Sequence, residues 1–257
     1  MLLCCDHMTN KDEIHEIIIA YEDVVLGIER KALEGIKGRA YGGIIRSGKG
    51  KLVESIAKQL VSLAWEKLDG EPHRLEIPEV RSTFKIPIKK EYVEKVKSDI
   101  IKDYIKKKMD EYYYPLSPDV QVLIDGKLAM VIECKAYTEN AMLKRVLVDF
   151  ALLKHLFPDV IPVLLQLESQ LGGDYSELNK VTYGSPSTHT LFSYFSIDLN
   201  IITLLKGERR VDRPIHKKEF FKPLTREGLE NAIDTICELL IPFRQNTFRT
   251  DSLNKFM

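Results

Sequence analysis

The 257-residue sequence predicts an α/β fold in which helices flank a central mixed β-sheet, with a helical region at the N-terminus. Three observations indicate this fold class. Apolar residues recur at helical spacing in several segments, two apolar runs flank the turn dipeptide Asp125-Gly126, and a continuous apolar run covers residues 160–167. We expect one domain with a helical part over 1–46, a core over 47–167 and a third part over 168–257.

The first half of the chain is predicted to be mainly helical. Residues 11–35 form an amphipathic pattern, and the glycines after it predict a loop (Gly35, Gly38, Gly42 and Gly43). A second helix is predicted over 47–68, because Asp69-Gly70 and Pro72 end the pattern there. Residues 74–88 are either irregular or a short edge strand, and residues 89–111 return to helical spacing with lysines on the opposite face.

The second half of the chain supplies the predicted sheet. Residues 120–124 and 128–132 form two strands around the Asp125-Gly126 turn, followed by a helix over 140–155 and a buried strand over 160–167. Residues 168–198 are rich in Ser, Thr, Tyr and Gly and predict a long loop with some structure of its own. A final helix is predicted over 225–240.

Composition excludes few functions. Basic and acidic residues both number 38, so net charge gives no argument for a polyanionic partner, although Lys and Arg are in local excess over 85–108 and 206–222. The cysteines form no CxxC pair and no zinc-site spacing, which favours a reducing cytoplasm (Cys4, Cys5, Cys134 and Cys237). No apolar run approaches the roughly 20 residues of a membrane span.

One glycine-rich segment superficially matches a nucleotide-binding loop. Residues Gly43 to Lys49 fit GxxxxGK, but Gly50 stands where Ser or Thr would ligate magnesium, and a helix rather than a strand precedes the segment. A loop before a helix is the preferred interpretation, and no nucleotide cofactor is expected. A basic helix N-terminus here would still be able to touch a phosphate.

Asp119, Glu133 and Lys135 interrupt the apolar runs of the hairpin. Buried charges of this kind need a partner or a metal, and Lys135 neutralising Glu133 with Asp119 capping a turn is the structural alternative. With a two-residue turn, strict register sets Asp119 opposite Ile132 and puts the two carboxylates on opposite faces of the sheet. A shared site therefore requires a bulge, a wider turn or splayed strand ends. Glu133 and Lys135 share a face, and two carboxylates suit magnesium while the ammonium would orient a water for attack on a phosphodiester.

Pro118-Asp119, thirteen intervening residues and Glu133-Cys134-Lys135 resemble the PD-(D/E)XK nuclease superfamily, and the size and layout are most similar to a type II restriction endonuclease. The resemblance covers about residues 116–167. It implies a restriction-endonuclease-like core and a single nuclease domain, with Asp119, Glu133 and the Cys134 carbonyl as Mg²⁺ ligands and Lys135 positioning the water. Glu54 matches a helix position where many such nucleases carry an acid.

The resemblance also implies double-stranded DNA as substrate, cut to 5′-phosphate ends by a homodimer whose symmetry matches a palindromic site. The expected phosphate contacts are Lys49, Lys51, Lys144 and Arg145. Base reading is expected from the loop over 170–189 and from Arg209, Arg210 and Arg213. Residues 168–257 would thus carry recognition and dimerisation.

Three alternatives remain open at this point. A structure-specific nuclease of the same superfamily, such as a junction resolvase or repair nuclease, would give no discrete bands on linear DNA. A non-catalytic DNA-binding protein would bind without cutting, whether or not Lys135 is replaced. A nucleotide-binding protein built on residues 43–49 would bind ATP.

Overall fold

The computed structural model describes residues 6–35, 39–177 and 183–244. The elements in chain order are α1 (Asp6–Gly35), α2 (Arg39–Lys67), β1 (Leu75–Glu76), β2 (Phe84–Pro87), α3 (Lys90–Glu94), α4 (Asp99–Lys107), β3 (Tyr113–Leu116), β4 (Val120–Ile124), β5 (Lys127–Glu139), α5 (Asn140–Lys154), β6 (Ile161–Gln170), α6 (Pro186–Ser193), β7 (Asn200–Thr203) and α7 (Arg226–Arg244).

A mixed β-sheet forms the centre of the fold, as predicted. Among the described residues its strand order is β1-β4-β5-β6-β7, and β2 pairs with β3 as a separate ribbon. The hairpin β4-β5 is antiparallel, whereas β5, β6 and β7 run parallel. The sheet is therefore antiparallel on one side of β5 and parallel on the other, which confirms the predicted α/β class.

Helices cover both faces of the sheet. Alternating residues of β6 face opposite ways: Val163 and Leu165 join the core formed with α1, α2 and α7, while Leu164 joins the core formed with α5. All three side chains are fully buried. This alternation is the period-2 pattern of a strand that lies between two helical layers.

Helix α2 begins earlier than the sequence predicts. It starts at Arg39 rather than at residue 47, so Gly42, Gly43 and residues 43–49 lie inside a helix and the predicted loop is wrong there; Gly38 lies outside the described residues. Close packing explains why glycine is used. A Cβ on Gly48 would lie 2.4 Å from Ile28 Cδ1 of α1, so glycine lets the two helices approach each other. The free helix N-terminus considered for phosphate binding is thus absent at residues 43–49.

The lysine-rich segment over 89–111 is two helices, not one. The chain breaks between α3 and α4, and Ser98 caps α4 by accepting a hydrogen bond from Ile101 N at 3.4 Å. Ile100 of α4 is 84% exposed. Helices are stabilised mainly by packing of their apolar face, so a face that contacts little does not enforce one continuous helix.

Most of the remaining predicted elements match within a few residues, but β5 runs to Glu139, seven residues beyond the predicted end of that strand at residue 132. Helices α5 and α7 match those predicted over 140–155 and 225–240, and β6 extends the predicted strand to Gln170. The predicted loop over 168–198 contains α6, and residues 178–182 of it lie outside the described residues. In the described ranges no helix has both the length and the apolar character needed to cross a membrane.

Arg74 holds the turn of the β4-β5 hairpin in place. Its guanidinium donates to both carboxylate oxygens of Asp125, at 2.9 and 2.8 Å, and to the main-chain oxygens of Phe243 and Arg244 at 2.9 and 2.8 Å. The last carbonyls of a helix have no partner within the helix, and Arg74 supplies partners for two of them in α7. One buried side chain thus connects the hairpin turn to the end of α7.

Candidate active site

A β-bulge sets the register of the β4-β5 hairpin. Asp125 and Gly126 have φ of 52° and 71°, as a two-residue type I′ turn requires, and Ile124 pairs with Lys127 as predicted. The register then shifts between Val122 and Leu123, so that Val120 pairs with Ile132. One step further, Asp119 comes opposite Glu133, whereas the strict register would have set it opposite Ile132.

Core packing shows which residue is the extra one. Ala129 and Met130 are neighbours on β5, yet both are buried in the same core cluster. Adjacent strand residues normally face opposite sides of the sheet, and a bulge is the usual way for two consecutive residues to share a side. A shared carboxylate site requires a bulge, a wider turn or splayed strand ends, and the structure has the bulge, at Ala129.

The three predicted catalytic side chains come together beyond the bulge. Lys135 Nζ forms an ion pair with Glu133 Oε1 and lies 3.5 Å from Asp119 Oδ2. The same Asp119 oxygen accepts a hydrogen bond of 2.9 Å from the backbone N–H of Cys134. The main chain of β5 therefore orients the Asp119 carboxylate toward the residues on either side of Cys134.

Burial and charge shift the pKa values of this group. The pKa of the Glu133 carboxyl is raised, mainly by burial and further by the Asp119 carboxylate, although the neighbouring Lys135 opposes the shift. For Lys135, burial favours the neutral amine, but the Glu133 and Asp119 carboxylates outweigh it and the pKa of Lys135 is raised. The lysine is therefore a stable cation at neutral pH in this arrangement.

The donor set suits a hard divalent cation. Asp119 and Glu133 contribute carboxylates, and the Cys134 carbonyl lies 3.4 Å from Lys135 Nζ, the atom that also contacts both carboxylates. No cluster of three or more His, Cys, Asp or Glu that would hold a metal occurs in the described ranges. Two carboxylates and one carbonyl are a sparse set, which matches Mg²⁺, an ion that keeps several of its waters.

The Cys134 thiol and Glu54 have different surroundings from the carboxylate pair. The Cys134 side chain packs in the core with α2, and burial raises its pKa well above the ordinary value. Glu54 lies half-buried on α2, where its charge acts on Cys134. Within the described residues, no hydrogen bond or ion pair joins Glu54 to Asp119 or Glu133, so its place in the site stays a prediction.

Sequence reasoning missed two charged residues at the site. Arg81 Nη1 donates to Asp119 Oδ1 at 2.8 Å, and Asp149 of α5 acts electrostatically on both Glu133 and Lys135. Arg81 lies in the connection between β1 and β2, where no periodic pattern marks it. Asp149 is spaced i+4 from Arg145 and forms an ion pair with it at 3.7 Å, a spacing that predicts only a helix-surface pair.

The residues expected to contact phosphates differ in accessibility. Lys49 is 8% exposed, and its Nζ lies 3.5 Å from His216 Nδ1 in the interior, which is a correction to its predicted role. Helix α2 begins at Arg39, so Lys49 lies inside the helix on its buried face and not at a helix N-terminus. Lys51, Lys144 and Arg145 are exposed and remain available to a ligand.

The three arginines that were expected to read bases also differ in their surroundings. The Arg209 guanidinium stacks 3.7 Å from the centre of the Tyr137 ring on β5 and donates to Gln170. Arg210 is exposed, and Arg213 is 56% exposed beside Asp212. Arg209 is therefore packed against β5, whereas Arg210 and Arg213 are exposed to solvent.

Comparison with known proteins gives the class to which this fold and site belong. The chain belongs to the family of type II restriction enzymes, and it is therefore an enzyme, a restriction endonuclease. It is 50% identical over 232 residues to the type II restriction enzyme DdeI of Desulfomicrobium norvegicum, an alignment that covers 89% of this chain and 96% of DdeI. This confirms the class expected from the sequence, a type II restriction endonuclease.

Two further comparisons leave this class unchanged. A solved structure of the native BbvCI A2B2 tetramer aligns with a TM-score of 0.35 at 12% identity, covering 95% of this chain and 93% of that chain. We draw no conclusion from a structural similarity this low. No family model matches the sequence.

Proposed function

We propose that this restriction endonuclease is a Mg²⁺-dependent nuclease of the PD-(D/E)XK type that cleaves double-stranded DNA at a specific sequence and leaves 5′-phosphate ends. The observation that carries the proposal is the convergence of Asp119, Glu133 and Lys135 on one side of the hairpin, which the bulge makes possible. Membership of the type II restriction enzymes supports the choice of DNA as substrate.

Asp119, Glu133 and the Cys134 carbonyl would hold the Mg²⁺ ion. When bound, Mg²⁺ supplies Lewis acidity at the phosphodiester and offsets the negative charge that accumulates there. The Cys134 N–H bond to Asp119 keeps one carboxylate oriented, so less reorganisation is needed when the ion enters.

Lys135 has two tasks in the proposed mechanism. Its ammonium, held by Glu133 and within 3.5 Å of Asp119, positions the attacking water by donating a hydrogen bond to it. It also stabilises the additional negative charge of the transition state, because its raised pKa keeps it charged at neutral pH. We assign no chemical step to Glu54, whose negative charge acts on the buried Cys134 thiol.

DNA binding is assigned to exposed cations around the site. Lys51, Lys144 and Arg145 would contact phosphates, and Arg210 and Arg213 would reach base edges. Lys144 lines a groove between α5 and α6 together with Asn140 and Thr190. Two copies related by a two-fold axis would cut the two strands of a palindromic site. The free, buried Cys134 and Cys237 are consistent with action in the reducing cytoplasm.

The proposal is tested by digesting plasmid and linear viral DNA with Mg²⁺, with Ca²⁺, and with the Lys135→Ala variant. Wild-type protein with Mg²⁺ is expected to give discrete bands, and Lys135→Ala is expected to lose about 100-fold or more of the rate. Lys95→Ala is the matched control, because Lys95 is an exposed lysine outside the site. It should cut like wild type.

Binding separates loss of chemistry from loss of fold. In Ca²⁺, Lys135→Ala should still retard a duplex in a gel, and its unfolding followed by fluorescence of the buried Trp65 should stay cooperative. Undiminished cutting by Lys135→Ala would contradict the assigned mechanism. Smeared fragments, or cutting of branched DNA alone, would contradict sequence specificity.

A further inference from the structure

Arg81 contacts the active-site aspartate directly. Its Nη1 donates to Asp119 Oδ1 at 2.8 Å, while the other oxygen, Oδ2, is held by the Cys134 N–H and faces Lys135. The Asp119 side chain is 18% exposed, but the Arg81 side chain is 42% exposed. The guanidinium therefore reaches Asp119 from the solvent side, which is the side from which DNA would approach.

The segment that carries Arg81 is held in place next to β4. Gln121 is buried, and its amide accepts from the backbone N–H of Ser82 at 3.1 Å and donates to the Ser82 carbonyl at 2.7 Å. Ser117 also donates to the Ser82 carbonyl, at 3.2 Å. Glu79, two residues before Arg81, forms an ion pair of 3.2 Å with Lys58 of α2. Because hydrogen bonds hold the backbone at Ser82, directly after Arg81, the Arg81 side chain is the part that can change partner.

The contact with Asp119 conflicts with metal binding. Asp119 Oδ1 is the carboxylate oxygen that the main chain leaves available, and Arg81 now uses it. A divalent cation at that oxygen would meet a guanidinium at hydrogen-bond distance, and like charges so close repel each other. Arg81 has to leave Asp119 when the cation arrives.

A released Arg81 has a suitable second partner. Its planar fork matches two oxygens of a phosphate, and it lies at the exposed mouth of a site whose substrate is a phosphodiester. We propose that Arg81 exchanges partners during the reaction cycle: it neutralises Asp119 before the metal binds, and it contacts the scissile phosphate afterwards. The inference rests on the proposed metal-dependent cleavage.

This exchange has two effects of opposite sign. Before metal binding, Arg81 competes with the cation for Asp119, so its removal strengthens metal binding. After metal binding, Arg81 supplies positive charge to a transition state that carries more negative charge than the substrate, so its removal slows cleavage. A residue that merely supported the fold would not improve one property while it harmed the other.

The test measures both effects on the same variants. Calcium binding without DNA is followed by titration calorimetry for wild type, Arg81→Ala and Arg81→Lys. Single-turnover cleavage of a plasmid is measured at saturating Mg²⁺. We expect Arg81→Ala to bind Ca²⁺ about fivefold more tightly and to cleave about 100-fold more slowly. Arg81→Lys keeps the charge but not the fork, so it should show near wild-type Ca²⁺ affinity and an intermediate rate.

Lys106→Ala is the control, because Lys106 is also an exposed cation paired with a carboxylate, Glu94, at 2.7 Å. It should change neither quantity. Unchanged or weaker Ca²⁺ binding by Arg81→Ala would overturn the competition, and an unchanged cleavage rate would overturn the phosphate contact. If wild-type protein cuts no DNA with Mg²⁺, the proposed function fails, and the calcium titration still decides whether Arg81 competes for Asp119.

Discussion

Lys49 is expected to destabilise the folded protein at neutral pH. Its ammonium is buried in α2, and burial is the main reason why its pKa falls from 10.5 to about 8, with Glu168 opposing that change and Arg209 adding to it. Replacing Lys49 by methionine keeps the long side chain and removes the charge. Glu168 does not lose its counterion, because Lys222 Nζ lies 2.9 Å from its Oε1.

The size and pH dependence of the effect follow from this shift. A lowering of the pKa from 10.5 to about 8 corresponds to about 3 kcal/mol of destabilisation, so Lys49→Met should be about 2–3 kcal/mol more stable at pH 7. Below pH 8 the lysine is protonated in the folded and the unfolded chain, and the difference is complete. Between pH 8 and 10.5 the folded chain releases its proton first, so wild type gains stability and the difference disappears.

Urea unfolding followed by Trp65 fluorescence at pH 7, 9 and 10.5 measures this difference. Lys51→Met is the control, because Lys51 is exposed two residues further along the same helix, and it should stay within about 0.5 kcal/mol of wild type. A less stable Lys49→Met, or a difference that does not change with pH, would refute the reasoning. The same pair tests DNA contact, since only Lys51→Met should reduce the salt dependence of binding, by a slope of about one.

Two further predictions concern packing and recognition. Gly70→Ala should destabilise by about 2 kcal/mol in urea unfolding, because its Cβ would lie 2.3 Å from the Trp65 ring; Gly27→Ala, with open space around the Cβ, should stabilise by about 0.5–1 kcal/mol, and a reversed order would be inconsistent with the packing described. Arg209→Ala should lower the single-turnover rate at saturating DNA, because Arg209 packs on the catalytic strand, whereas Arg210→Ala should weaken binding and leave that rate unchanged. Equal effects of the two substitutions on rate and binding would contradict this division.

The hairpin illustrates how far the sequence predicts the site. Asp125-Gly126 fixes the turn type and the first pairs, because both residues adopt the positive φ that a type I′ turn needs. The bulge two pairs later depends on Ala129 and Met130 both finding space in one core, which is a property of the packed helices. The sequence therefore showed that a register correction was needed, but not which of three arrangements supplies it.

Other outcomes follow the same division between local and tertiary causes. The break before α4 has a local signal, Ser98, but the helical spacing of the whole segment dominates any sequence-based prediction. Lys49 contacts His216, which lies 167 positions further along the chain, and Arg81 contacts Asp119, which lies 38 positions further along. Neither contact leaves a periodic pattern, since each is created by the way the layers pack.

The hydrogen bonds of Arg74 have a consequence for the order in which the protein folds during its synthesis. Arg74 and Asp125 leave the ribosome early, but two of the four oxygen atoms that hold the Arg74 guanidinium belong to residues 243 and 244. Domains complete their folding as their last contributing segment emerges. A growing chain that already carries Asp119, Glu133 and Lys135 therefore still lacks two of the hydrogen bonds that hold Arg74 against its hairpin turn, and these form only after translation has passed residue 244.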